Sequence, residues 1–271
     1  MTNQLAVRND LKNLLATPTI KSRFESVLGK NAGAFIAAVL NTAVSTPKIM
    51  ECDPLSVINA ALQAAVLRLS ISPSLGQAAI IPYGKKAQFQ IMVGGFIQLA
   101  LRTNQYRYIN TAKIYEGETI EEERLTGKMK LGGAKKSNKI DAWCGYFELV
   151  NGFSKMLVMS VAEIMEHAKH YSKSWKGDHF EPGSAWDTNF DKMCEKTVIK
   201  LLIKKYGILS DTLEVALNIE NETGEEPITG EVVTADAITG EVIELSRGDP
   251  AQQLPEDEKT VQQVMTELGY S

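Results

Sequence analysis

The period of the apolar residues changes near residue 77, and that change excludes both an all-helical and an all-strand chain. Asp53-Pro54 supplies a cap and a first-turn proline, after which Leu55, Ile58, Leu62, Ala65, Val66 and Leu69 recur at helical spacing until Ser72-Pro73 stops the run. Upstream, Ala34 to Val44 predicts another helix and Leu11 to Leu28 a weaker, interrupted one. From Gln77 the period is two: Ala78 to Tyr83 and Ala87 to Val93 flank Gly84-Lys85-Lys86 and predict a hairpin. Gly94-Gly95 then opens a short helix, Phe96 to Arg102.

Further strands are expected at Tyr106 to Tyr115, Trp143 to Val150 and Lys155 to Met159, the last two joined by Asn151-Gly152 as a type I′ turn. Ser160 and Glu163 form a capping box for a helix to about Tyr171. A long helix is expected from about Asp187 to Tyr206, ended by Gly207 as its C′ residue.

Charge divides the chain a second way. Residues 1 to 210 hold 27 Lys and Arg against 18 Asp and Glu, a balance of +9, while residues 211 to 271 hold 2 against 15, or −13. A basic body with folded-domain patterning is the electrostatic footprint of a polyanion binder, so nucleic acid is the first partner implied. The acidic segment lacks aromatics between Tyr206 and Tyr270 and repeats Ile228 to Val232 as Ile238 to Val242, and it reads as disordered. After Pro255, Val261, Val264, Met265 and Leu268 share one helical face, which fits either a frayed end or a helix that docks in a partner's groove. The domain reading is therefore a core over residues 1–210, an acidic disordered linker over 211–254 and a short amphipathic helix over 255–271.

Several function classes lose support. There is no GxxxxGK[ST] phosphate loop and no GxGxxG after a strand, which argues against an ATP-driven recombinase or helicase. Cys52, Cys144 and Cys194 are far apart and odd in number, so no disulfide framework or paired-cysteine zinc site is indicated and a reduced cytosol fits. Neither a signal-peptide core nor eighteen consecutive apolar residues occurs, so no membrane partner is expected. His167 and His170 could share a metal only with ligands that the neighbouring sequence does not supply. Asp178, Glu181, Asp187 and Asp191 could form a nuclease cluster, or cap turns and helix starts.

The positive features are basic. Lys192, Lys196, Lys200 and Lys204 fall every fourth residue of one helix, as a phosphate-facing stripe or a solvated face. Lys169, Lys173, Trp175 and Lys176 interleave cations with an aromatic ring that either stacks a base or packs as a lid. Arg124 to Lys139 holds six basic residues and no acid, and reads as a flexible basic loop that either contacts DNA or is merely solvated. Gln88 and Gln90 share one face of a strand, with Lys85 and Lys86 at its turn; Arg102, Arg107 and Lys113 can extend that surface.

Residues 75–91 (LGQAAIIPYGKKAQFQI) followed by 94–102 (GGFIQLALR) closely resemble the central block of phage and prophage RecT-type single-strand annealing proteins, and residues 186–200 (WDTNFDKMCEKTVIK) resemble the second block. With the helical lead-in, the likeness covers about residues 20 to 210. It implies an α+β core in which a β-hairpin sheet packs against a long helix, behind an N-terminal helical region. It also implies an ATP-independent, non-enzymatic protein without cofactor or metal that oligomerises on single-stranded DNA in the bacterial cytoplasm and anneals it through a duplex intermediate. A phage exonuclease is the implied partner, with host single-strand binding protein a candidate for the C-terminal tail.

Overall fold

The computed structural model describes residues 10–224, 233–235 and 242–244. The chain divides into two units, residues 1–226 and 227–271.

The first unit begins with helices. α1 (residues 10–16) and α2 (Pro18–Leu28) break at Thr17-Pro18, since proline has no N–H to donate and takes the first helical position of α2. A 3₁₀ turn at Gly29–Asn31 leads into α3 (Ala32–Ser45), and α4 (Pro54–Val66) follows. Leu11, Leu15, Phe24, Val39, Ala43 and the small-residue face of α4 (Ala60, Ala61, Ala64, Ala65) are buried together. α4 is shorter than its sequence pattern: at its end the Arg68 N–H donates to Ala65 O and the Leu69 N–H to Ala64 O, a Schellman closure, and Leu69 is buried from the loop beyond.

β1 (Ala78–Tyr83) and β2 (Lys86–Ile91) form the expected antiparallel hairpin, with Tyr83 opposite Lys86. Alternation sends Ala87, Phe89 and Ile91 onto α4. α5 (Val93–Arg102) starts where Gly94 donates to the Gly76 carbonyl at 3.0 Å. A Cβ on Gly95 would overlap the Gln77 carbonyl oxygen, so this close approach requires the glycine.

The second layer is an antiparallel sheet in the order β3 (Tyr106–Tyr115), β6 (Ile140–Leu149), β7 (Ser154–Ser160). Between β3 and β6 the chain builds a further hairpin, β4 (Glu118–Glu123) and β5 (Lys128–Gly133), where sequence suggested a flexible basic loop. Its cations are set against carboxylates: Lys130 lies opposite Glu121 and Lys128 opposite Glu123. Opposite charges on facing strand positions attract, and the acids sit just before the run that sequence reading isolated. β6 buries both faces, Trp143 and Phe147 on one, Ala142 and Cys144 on the other, which explains its nearly continuous apolar sequence.

The β6–β7 turn also differs from expectation. Leu149 N–H donates to Phe153 O and Gly152 N–H to Leu149 O, leaving a three-residue loop. Only Gly152 has positive φ (87°); a type I′ turn would need it at Asn151 as well, whose Oδ1 instead accepts from Phe153 N–H.

α6 (Val161–Tyr171) begins at the full Ser160–Glu163 capping box. The long helix is split: α7 (Ala185–Thr188) and α8 (Phe190–Tyr206) are separated by Asn189 in a non-helical conformation. Gly207 follows α8 with ordinary φ (−77°), and its requirement is space, since a Cβ there would overlap Tyr106 Oη. α8 packs across all three strands of the sheet. This is the expected α+β arrangement of sheet, hairpin and long helix.

α9 (Asp211–Gly224) extends the core beyond residue 210. Leu213, Ala216 and Leu217 are buried in the main core, so the acidic segment expected to be disordered from residue 211 starts with a packed helix. In the second unit β8 (Val233–Ala235), directly after the first copy of the near-repeat, pairs antiparallel with β9 (Val242–Glu244), which starts on the last residue of the second. The rest of the expected linker and the amphipathic stretch after Pro255 lie outside the described residues.

Candidate nucleic-acid interface

The β1–β2 hairpin buries Ala78, Ile80, Ala87, Phe89 and Ile91 on one face, and its other face carries polar groups beside half-buried Ile81. With Phe89 and Ile91 inward, Lys86, Gln88 and Gln90 share the other face: Lys86 is exposed, the glutamines half-buried. Exposed Tyr83 stands opposite Lys86, a ring beside a cation that sequence reading passed over although the alternation places it there. Lys85 is exposed in the turn, and its carbonyl accepts the Asp53 N–H at 2.7 Å, which fastens the tip to the start of α4. Among the described residues Lys85 forms no ion pair.

The α8 lysines do not form a uniform row. Lys192 is exposed and bonds Glu195 at 2.9 Å; Lys196 is buried, at 4% exposure; Lys200 is half-buried; Lys204 is exposed. Four residues turn an α-helix by about 400°, so each step drifts about 40° and the stripe winds off one face. Lys200 lies close enough to His167 on α6 to disfavour the imidazolium. Burial first, then the Lys200 and His170 charges, hold the His167 pKa below its usual value.

Other basic candidates have protein partners. Arg107 pairs with Glu148 at 2.9 Å, and Lys113 pairs with Asp191. Lys169 pairs with Glu166 at 3.3 Å, and Lys176 with Glu181 at 3.7 Å. Lys173 is half-buried. Arg102 donates to the Leu67 carbonyl at 2.8 Å and the Arg68 carbonyl at 2.7 Å, closing the end of α4.

Trp175 is placed as the packed lid residue of its two sequence readings. It packs edge-on against Phe180 at 5.0 Å, and Phe180 stacks on Trp186, which leads through Phe190 to buried Trp143. Yet Trp175 is half-exposed, with the Lys169 ammonium 5.7 Å from its ring.

The four carboxylates considered for nuclease chemistry go to separate tasks. Asp178 bonds His179, Glu181 meets Lys176, Asp187 accepts from Gly183 N–H and Asp191 holds Lys113. Among the described residues no three His, Cys, Asp or Glu side chains could hold a metal ion. The cysteines are free and buried, and burial raises each thiol, Cys194 to about 12.

Comparison with known proteins matches the sequence to one family. The chain is 41% identical over 233 residues to the uncharacterized protein YqaK of Bacillus subtilis (strain 168), covering 85% of this chain and 79% of that one. It is 24% identical over 252 residues to Protein RecT of Escherichia coli (strain K12), covering 87% and 88%. The RecT family model matches residues 33–234, a span that holds both hairpins, the sheet, α8 and α9. The chain belongs to the RecT family.

Proposed function

We propose that this protein binds single-stranded DNA and anneals it to a complementary strand without ATP, assembling on the strand during phage recombination. Membership in the RecT family implies single-strand annealing in recombination. The observation that carries the reading to this chain is the β1–β2 hairpin: Lys86, Gln88, Gln90 and Tyr83 share the strand face opposite buried Phe89 and Ile91, with exposed Lys85 in the turn, inside the matched residues, although the Gln90 Oε1 is itself buried. Annealing requires no bond chemistry. Cations must offset phosphate repulsion while base edges stay free, and pairing then supplies fidelity. Each correct step adds about 1.4 kcal/mol of stacking, so a duplex intermediate is held more firmly than one strand after a few steps.

Around this activity the reading places a homo-oligomer, an exonuclease that supplies single strands, and host single-strand binding protein as partner of the C-terminal segment. Mass photometry of the full chain with one oligonucleotide, then with complementary or non-complementary second strand, tests it. Growth of the assemblies with the complement alone supports it. Shortening of labelled strand with magnesium or manganese would favour a nuclease instead.

A further inference from the structure

Three elements meet at a cleft well away from the hairpin tip: the end of α4, the end of α5 and the start of α9. Arg68, Leu99, Arg102, Ser210 and Thr212 line it. Arg68 and Arg102 are near enough that, after partial burial, the Arg68 charge is the next cause pulling the Arg102 pKa below its ordinary value. Arg102 is held by the two carbonyls it caps, while among the described residues Arg68 has no hydrogen bond or ion pair through its side chain. The nearby carboxylates, Asp211 and Glu214 in the first turn of α9, are exposed and pair with neither arginine.

Two further features single out Arg68. It occupies the C′ position of α4 with φ 50°, where glycine is favoured and a long side chain is a poor local choice. Arg68 and Arg102, both exposed, line the cleft together, so two like charges share its rim. An anion between the two arginines would offset the repulsion, and Ser210 and Thr212 offer hydroxyl donors to the same volume.

We infer that the Arg68–Arg102 cleft is a phosphate-binding site, and that the phosphate belongs to a nucleic-acid strand also held at the hairpin. α4 connects the two places: its first residues are fastened to the Lys85 carbonyl and its last lead to Arg68. Thirteen residues of helix separate them by about 20 Å, a span of a few nucleotides of extended strand. This rests on the proposed DNA-binding function and adds a second anchoring point to it.

Arg68→Gly is the decisive variant, because glycine removes the guanidinium and suits the backbone, so folding is preserved. Its Tm is expected to equal or exceed that of wild type. With a single-stranded oligonucleotide, its binding should weaken and its salt slope fall by about 0.7, one phosphate contact, with Arg68→Lys restoring the slope. Inorganic phosphate at fixed ionic strength forms the second arm: a thermal shift present in wild type and lost in Arg68→Gly, with no change in slope, assigns the cleft to free phosphate. A folded Arg68→Gly with wild-type slope and wild-type response to phosphate overturns the site. That failure leaves the function reading standing if Lys86→Ala still impairs annealing, whereas wild type that fails to bind single strands defeats the function itself.

Discussion

Lys113 on β3 is ion-paired with Asp191 in the first turn of α8, tying the sheet directly to the long helix. The bond to Asp191 is the main reason that the Lys113 pKa lies above its ordinary value. A raised folded pKa gives stability fully present below the unfolded value and lost only as pH rises through the folded one, so the pair contributes throughout the neutral range.

This pairing gives a two-sided prediction. Asp191→Asn and Lys113→Ala should each cost up to about 1 kcal/mol in denaturant unfolding, as for a partly exposed pair. On single-stranded DNA they should diverge: Asp191→Asn tightens binding by releasing a cation, and Lys113→Ala weakens it. Filter binding that moves both variants the same way would make Lys113 a structural residue only.

The α6 cap is a stability test independent of DNA. Ser160 Oγ accepts the Glu163 N–H, while the Glu163 carboxylate accepts from the Ser160 N–H and hydroxyl, bonds that lower the Glu163 pKa. Ser160→Ala should cost about 1 kcal/mol. Because the folded pKa is depressed, the Glu163 contribution is present above the unfolded carboxylate value, about 4.3, and fades as pH falls through the folded one. Unfolding curves of Glu163→Gln should therefore converge on those of wild type at low pH.

His167 is an internal reporter of charge on α8. Its lowered pKa means that stability from the neutral ring is present above the unfolded value, about 6.5, and is lost as pH falls through the folded one. NMR titration should place His167 below an ordinary histidine, and Lys200→Ala should move it upward. Bound single-stranded DNA should also move it upward if phosphates approach Lys200, and an unchanged titration on binding would remove that part of α8 from the interface.

Element types were legible wherever one period ran long enough. Asp53-Pro54, the β1–β2 alternation and the Ser160–Glu163 box all mark elements that the structure contains. What sequence hid depends on distant partners. Lys196 is buried toward the middle of α8 although Lys192 and Lys204, on either side of it in the stripe, are exposed, and Arg102 is held by carbonyls 34 and 35 residues away. α9 was obscured because the acid-rich composition after residue 210 outweighed a short apolar face, Leu213, Ala216 and Leu217, that only the core reveals. Arg68 in a left-handed conformation leaves no local signal, since its Schellman closure carries arginine where glycine is usual.

The position of α9 also fixes where the tail can be removed. Cutting after residue 226 deletes nine acids against two bases and leaves the core helices in place, so it should tighten DNA binding through lost electrostatic competition. Cutting after residue 210 removes Leu213, Ala216 and Leu217 from the core and should lower Tm. Filter binding and thermal unfolding of the two truncations separate these effects.

The hairpin surface should matter most when the second strand arrives. Lys86→Ala and Gln88→Ala are expected to slow pairing of complementary strands more than they weaken binding of one strand, measured at matched salt and strand occupancy. Equal annealing rates for variants and wild type would move the pairing surface away from β2 and leave α8 as the main contact.

ATP-independent annealing can be measured by following two dye-labelled complementary oligonucleotides by energy transfer, with nucleotide removed from every solution. The protein should accelerate pairing far above the spontaneous rate, with no signal from a non-complementary pair and no gain on adding ATP. Pairing at the spontaneous rate while the strands are fully bound, or acceleration only with ATP, would contradict it.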